Sequence, residues 1–128
     1  MARILVIEDN ALNMKQVVML LRNVGHTTLE AVDAEAGVML ARTGQPDLIL
    51  MDIQLPGMDG LEATALLKKD PATAAIPIIA VTAMVMRDDR ERAVVAGCDA
   101  YIAKPFRHLE LYAVIDSFLL RSGPQRAA

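Results

Sequence analysis

Aromatic side chains are nearly missing from this chain: there is no tryptophan, and two tyrosines and two phenylalanines make up 3% of 128 residues. A surface that holds single-stranded nucleic acid by stacking needs more rings than that. Basic blocks are missing too, and the net charge of -3 argues against direct nucleic-acid binding. The single cysteine, Cys98, excludes an internal disulfide and suits a reducing compartment. No apolar run approaches the ~20 residues of a membrane span. The N-terminus enters a strand at Arg3 without the basic and apolar regions of a signal peptide. Repeats, linkers, low-complexity segments and a glycine-rich phosphate loop are all absent. The expectation is a cytoplasmic protein with neither a nucleic-acid nor a membrane partner.

What is present is packing material. The chain is 54% hydrophobic and 23% charged, and its length fits one domain with a real core. Strand-like and helix-like segments alternate. Met14, Val17, Val18, Leu21 and Val24 recur at helical spacing and stop at Gly25. Asp33 can cap a second helix through about Thr43, closed by Gly44 and Pro46. Asp59 with Glu62 opens a third, ended by Asp70-Pro71. Arg87 to Ala96 reads as a charged fourth helix stopped by Gly97, its face laced with ion pairs. Leu111, Ile115, Phe118 and Leu119 mark a fifth. The domain is expected to span residues 1–121, with a flexible tail over 122–128.

Such alternation implies right-handed crossovers and a parallel sheet covered on both faces. The runs at 4–7, 48–51 and 76–81 are apolar on both faces, as interior parallel strands must be. The mixed segment His26–Glu30 and the short run at 100–103 belong at the edges. The expected fold is therefore α/β and flavodoxin-like: five parallel strands in the doubly wound order 2-1-3-4-5, with five helices.

Four of the strand-like runs end on residues that phosphate chemistry can use. The first ends on Glu8-Asp9, the third on Asp52, the fourth on Thr82 and the fifth on Lys104-Pro105. Ligands of an open α/β sheet bind beyond the carboxyl ends, where strand order reverses, here between strands 1 and 3. Three carboxylates meeting there repel one another, and a hard divalent cation removes the conflict. Asp9 and Asp52 are the best direct ligands for Mg²⁺, with the Gln54 backbone carbonyl as a third and Glu8 acting through water. A carboxylate can also accept a phosphoryl group, and the central Asp52 is the candidate. Thr82 and Lys104 could each reach a phosphoryl oxygen, and Lys104-Pro105 is a candidate cis bond. Each residue singly has a plainer reading, as a helix cap, a turn residue or a solvated lysine. Their convergence on one sheet edge makes chemistry the better reading. Cys98, His26, His108 and the eight methionines keep plain structural readings.

The stretches Ile7–Asn10, Pro46–Asp52, Pro56–Gly60, Ala80–Ala83 and Gly97–Pro105 together resemble the receiver domains of bacterial two-component response regulators. The resemblance covers about residue 2 to 121, and no key position departs from the family pattern. It implies that Asp52 is the phosphoacceptor and that Glu8, Asp9, Asp52 and the Gln54 carbonyl hold Mg²⁺. It further implies that Thr82 and Lys104 read the phosphoryl group and that Tyr101 is the switch aromatic. The implied partners are a sensor histidine kinase or a histidine phosphotransfer protein, with the chain a monomer or weak dimer. Gln54 and Met84 are expected to influence phosphoryl lifetime. Because the chain ends where a receiver ends, a stand-alone regulator is expected, most like the DivK type of cell-cycle and cell-fate control. It is not expected to be an enzyme beyond promoting its own phosphorylation and dephosphorylation. Two rivals are weaker. A Mg²⁺-dependent phosphohydrolase with an aspartyl-phosphate intermediate commonly has an acid two residues past its nucleophile, where this chain has Gln54. A flavin-binding domain would need a hydroxyl-rich phosphate loop in place of Glu8-Asp9-Asn10.

Overall fold

The computed structural model describes residues 2–83 and 87–127, with side chains described over 2–83 and 90–120. The elements follow one another as β1 (Arg3–Ile7), α1 (Ala11–Asn23), β2 (Thr27–Ala31), α2 (Ala34–Gly44) and β3 (Leu48–Asp52). They continue as α3 (Gly60–Lys69), β4 (Ile78–Thr82), α4 (Arg87–Ala96), β5 (Ala100–Ala103) and α5 (His108–Ala127). All neighbouring strands pair in parallel, in the order β2-β1-β3-β4-β5. The flavodoxin-like arrangement expected from strand character is the one observed.

Strand alternation sends side chains to two separate cores. Ile4, Val6, Leu48, Leu50, Ile79 and Val81 pack against α1 and α5 through Val17, Leu21, Leu111 and Ile115. Leu5, Ile7, Ile49, Met51 and Ile78 pack on the other face against Ala34 and Ala41 of α2 and Ala63 and Leu67 of α3. A smaller cluster on that second face joins Ile53, Leu61, Ala80 and Ala93, with Tyr101 packed against it. Every residue of β3 and β4 is buried, whereas β2 and β5 are partly exposed, which is why the latter two lie at the edges.

Local chemistry explains most boundaries. Asn10, Asp33 and Asp59 cap α1, α2 and α3, each accepting from the backbone N–H three residues on at 2.8–2.9 Å. Gly25 and Gly97, at φ 93° and 111°, turn the chain after α1 and α4. α2 ends differently from the expected glycine stop. Gly44 remains helical and Gln45 takes the left-handed conformation, at φ 44°. Position 44 packs closely on β2, and a Cβ there would lie 2.7 Å from Leu29 Cδ1, the end of a side chain that can shift. β4 starts at Ile78, two residues later than its apolar run, because Pro77 has no N–H for the ladder. α5 keeps helical backbone to Ala127, over the stretch from 122 where a flexible tail is expected. Met84 lies outside the described residues.

Candidate functional site

Three turns at the carboxyl edge of the sheet carry the acidic groups and Lys104. β1 runs out at Ile7, and the next residue, Glu8, still donates its N–H to Ala31 O of β2 at 3.0 Å. Its carboxylate is turned inward, with Oε2 accepting from Asn10 N at 3.0 Å, and the residue is 4% exposed. Asp9 stays exposed at the mouth. β3 delivers Asp52, 7% exposed, whose Oδ1 accepts from Gln54 N at 3.0 Å. β5 delivers Lys104, whose N–H donates to Thr82 O at 2.8 Å and which precedes a cis bond to Pro105. One carboxylate oxygen from each of Glu8, Asp9 and Asp52 lies within 4.8 Å of the other two.

The Lys104 ammonium occupies the inner side of this cluster. Nζ is 2.8 Å from Glu8 Oε1 and 3.4 Å from Asp52 Oδ2. The electrostatics divide the two buried acids. Burial pushes Asp52 up from 3.8 to about 6, and the adjacent Glu8 adds to the rise while Lys104 and the Gln54 N–H oppose it. Glu8 is held below its ordinary value: burial works against ionisation, but hydrogen bonds from Lys104, Asn10 and Asp52 outweigh it. Lys104 is held above its ordinary value, because Glu8 and Asp52 overcome the cost of burial. Of the two buried acids, Asp52 is the one that takes up a proton first.

Thr82 is fully buried at the end of β4, one residue beyond Val81, the register partner of Asp52. Alternation puts it on the same face of β4 as Ala80, and Ala80 is the register partner of Tyr101. Thr82 and Tyr101 are therefore diagonal neighbours on one face, while Glu8, Asp52 and Lys104 gather at the edge. Tyr101 packs against the small cluster of Ile53, Leu61, Ala80 and Ala93.

Residues 4–116 match the sequence model of the response regulator receiver domain. The chain belongs to that family. It is 45% identical over 116 residues to the polar-differentiation response regulator DivK of Brucella anthropi, covering 91% of this chain and 94% of that one. The DivK of Brucella ovis is similar to the same extent. Among solved structures, the receiver domain of a Pseudomonas aeruginosa sensor histidine kinase superposes with a TM-score of 0.87 at 35% identity, covering 92% of this chain and 97% of that one. That structure holds a magnesium ion coordinated in its active-site cleft. A CheY-like receiver domain protein from Methanospirillum hungatei gives a TM-score of 0.90 at 26% identity, with 98% of each chain covered.

Two features of this receiver are not apparent from motif reading. Gly60 appears in the Pro56–Gly60 stretch without an evident task. In space its N–H donates to Ile53 O at 3.0 Å, and a Cβ would collide with the Asp52 carbonyl oxygen and lie 2.8 Å from Ile53 Cα. The bare glycine lets α3 lie against the backbone that carries Asp52. Arg90, read as one charge of an exposed helix face, instead places its guanidinium carbon 5.5 Å from the Tyr101 ring centroid. Periodicity could not show this, because the partner lies on a different element. His108, far from His26 in sequence, makes an edge-on ring contact with Tyr112 at 5.9 Å. Cys98 is half-buried, with its thiol 3.8 Å from Thr64 Oγ1, and burial pushes that thiol up. No helix among the described residues is long and apolar enough to cross a membrane.

Proposed function

We propose that this receiver accepts a phosphoryl group on Asp52 from a phosphohistidine protein and signals by changing its protein contacts. The observation that carries the reading is the set of three carboxylates, Glu8, Asp9 and Asp52, with oxygens within 4.8 Å of one another beside Lys104. Such a donor set of hard oxygens, open to solvent at Asp9, fits Mg²⁺. Asp9, Asp52 and the Gln54 carbonyl would hold the ion, with Glu8 directly or through water. When bound, the ion neutralises charge between the acid cluster and the incoming phosphate.

The chain's own groups supply the rest. An oxygen of the ionised Asp52 attacks the phosphorus of phosphohistidine, the P–N bond breaks, and its electron pair stays on the imidazole nitrogen, which takes up a proton. Lys104 exchanges its Asp52 contact for a phosphoryl oxygen. The new group adds up to about two negative charges and strong acceptor oxygens at the strand edge. The Thr82 hydroxyl turns toward it, vacating space on the face it shares with Tyr101, and the ring moves inward. A coupling of about 1–3 kcal/mol suffices to bias such a two-state element by ~5–150-fold.

The donors would be a sensor histidine kinase or a histidine phosphotransfer protein, and output would go to another protein from a cytoplasmic monomer or weak dimer. The 45% identity to DivK proteins supports a role in polar differentiation, cell-cycle or cell-fate control. The phosphohydrolase reading is not favoured, because the Gln54 amide cannot protonate a leaving group. The test is incubation with Mg²⁺ and acetyl phosphate followed by intact mass. A single phosphoryl adduct is expected, absent in Asp52→Asn; an adduct that persists in that variant refutes the assignment.

A further inference from the structure

We propose that Arg90 is a positioning residue for the Tyr101 switch, holding the ring in its outward place until phosphorylation draws it in. The inference rests on the switch reading above and names a residue that reading does not use. Three observations carry it. The guanidinium carbon stands 5.5 Å from the Tyr101 ring centroid, within the reach of a cation–π contact. Arg90 lies on α4 one turn before Ala93, and Ala93 is 1% exposed in the small cluster against which Tyr101 packs. The arginine therefore sits on the same side of α4 as Ala93, bridging that helix to β5. Finally, Tyr101 is only half-buried, so it packs against the small cluster while its ring still meets the guanidinium.

The geometry gives the contact a direction. The deeper position for the ring lies toward the space that Thr82 leaves on moving to the phosphoryl group. The exposed guanidinium on α4 cannot follow it there, because the backbone of α4 is anchored at Ala93. Moving inward thus costs the ring its cation. At an exposed site a contact of this class weights the two positions by about two- to fivefold. Arg90 accordingly sets how far the unphosphorylated protein already populates the inward position. It also ties the angle of α4 to the ring, so partners that read α4 and β5 sense both together.

The test uses the full chain with ring-labelled tyrosine, which yields two resolvable spin systems because Tyr101 and Tyr112 are the only tyrosines. In Arg90→Gln, the unphosphorylated Tyr101 signals should move toward their positions in the acetyl phosphate-treated wild type. The rate of Asp52 phosphorylation by acetyl phosphate should rise about two- to fivefold. Arg90→Lys keeps the charge without the planar group and should fall between. In a Tyr101→Leu background, Arg90→Gln should change nothing, which a purely structural role for Arg90 would not produce. If Asp52 is phosphorylated yet Arg90→Gln leaves both the ring signals and the rate at wild-type values, the proposal is wrong and the receiver reading stands. An equal effect of Arg90→Gln with and without Tyr101 also overturns it. If no adduct forms on Asp52 at all, the receiver reading itself fails.

Discussion

Replacing Asp52 by asparagine should make the metal-free protein more stable at neutral pH, even though it removes the group on which function depends. In the folded state Asp52 is displaced upward from 3.8 to about 6, chiefly by burial and then by Glu8. The folded chain thus keeps a proton that the unfolded chain releases across that window. Stability falls as pH rises from about 3.8 to about 6, and above that the full penalty of the buried carboxylate is in force. A displacement of this size corresponds to about 3 kcal/mol. Asparagine carries no such penalty and can still accept from the Gln54 N–H, but it weakens the attraction to Lys104. The expected gain is therefore about 1–3 kcal/mol at pH above 7, shrinking toward zero near pH 4. Equilibrium urea unfolding in a chelating buffer across this pH range measures it. Adding Mg²⁺ should reverse the order, since a ligand at a hundredfold excess over its Kd stabilises the wild type by about 2.7 kcal/mol. Equal stabilities for the two proteins at neutral pH without metal, or parallel pH profiles, would refute the electrostatic reasoning.

Two further outcomes are expected. Gly60→Ala should destabilise by about 2–3 kcal/mol and slow phosphorylation, because its Cβ meets backbone atoms of Asp52 and Ile53 that cannot rotate away; urea unfolding and the acetyl phosphate assay would detect both, and wild-type behaviour in both would show that α3 adjusts freely. His26 is 6% exposed with Nδ1 lacking a hydrogen-bond partner among the described residues, and burial holds its pKa below 6.5 against the pull of Asp116. The unfolded chain therefore takes up a proton that the folded chain declines, and stability falls as pH drops below about 6.5. His26→Leu should flatten that part of the urea-midpoint profile, and an unchanged profile would count against the assignment.

The sheet order and the membership of the edge site were both legible in the residues. Interior parallel strands must be apolar on both faces, so the runs at Ile4–Ile7, Leu48–Met51 and Ile78–Val81 declare themselves, and the mixed run at Thr27 declares an edge. Once strand order is known, polar residues that follow strands must meet at the carboxyl edge, whatever their separation along the chain. Helix starts were equally local, since Asn10, Asp33 and Asp59 act within three residues of themselves.

What depended on tertiary contact was everything set by approach between elements. Gly44 looks like a helix stop but stays helical against Leu29, and Gly60, which has no evident task in the sequence, lets α3 lie on the Asp52 backbone. Neither demand has a local sequence signature. The ionisation of the site is of the same kind, because burial and the placing of Lys104 between Glu8 and Asp52 separate two chemically similar acids. Arg90 is the plainest instance. Its helix reads as a solvated run of charge, and only the approach of α4 to β5 puts its guanidinium over Tyr101. Periodicity and caps are short-range and survive in one dimension. Steric clearance, burial and cation–π contact depend on distances that exist only after the chain has packed.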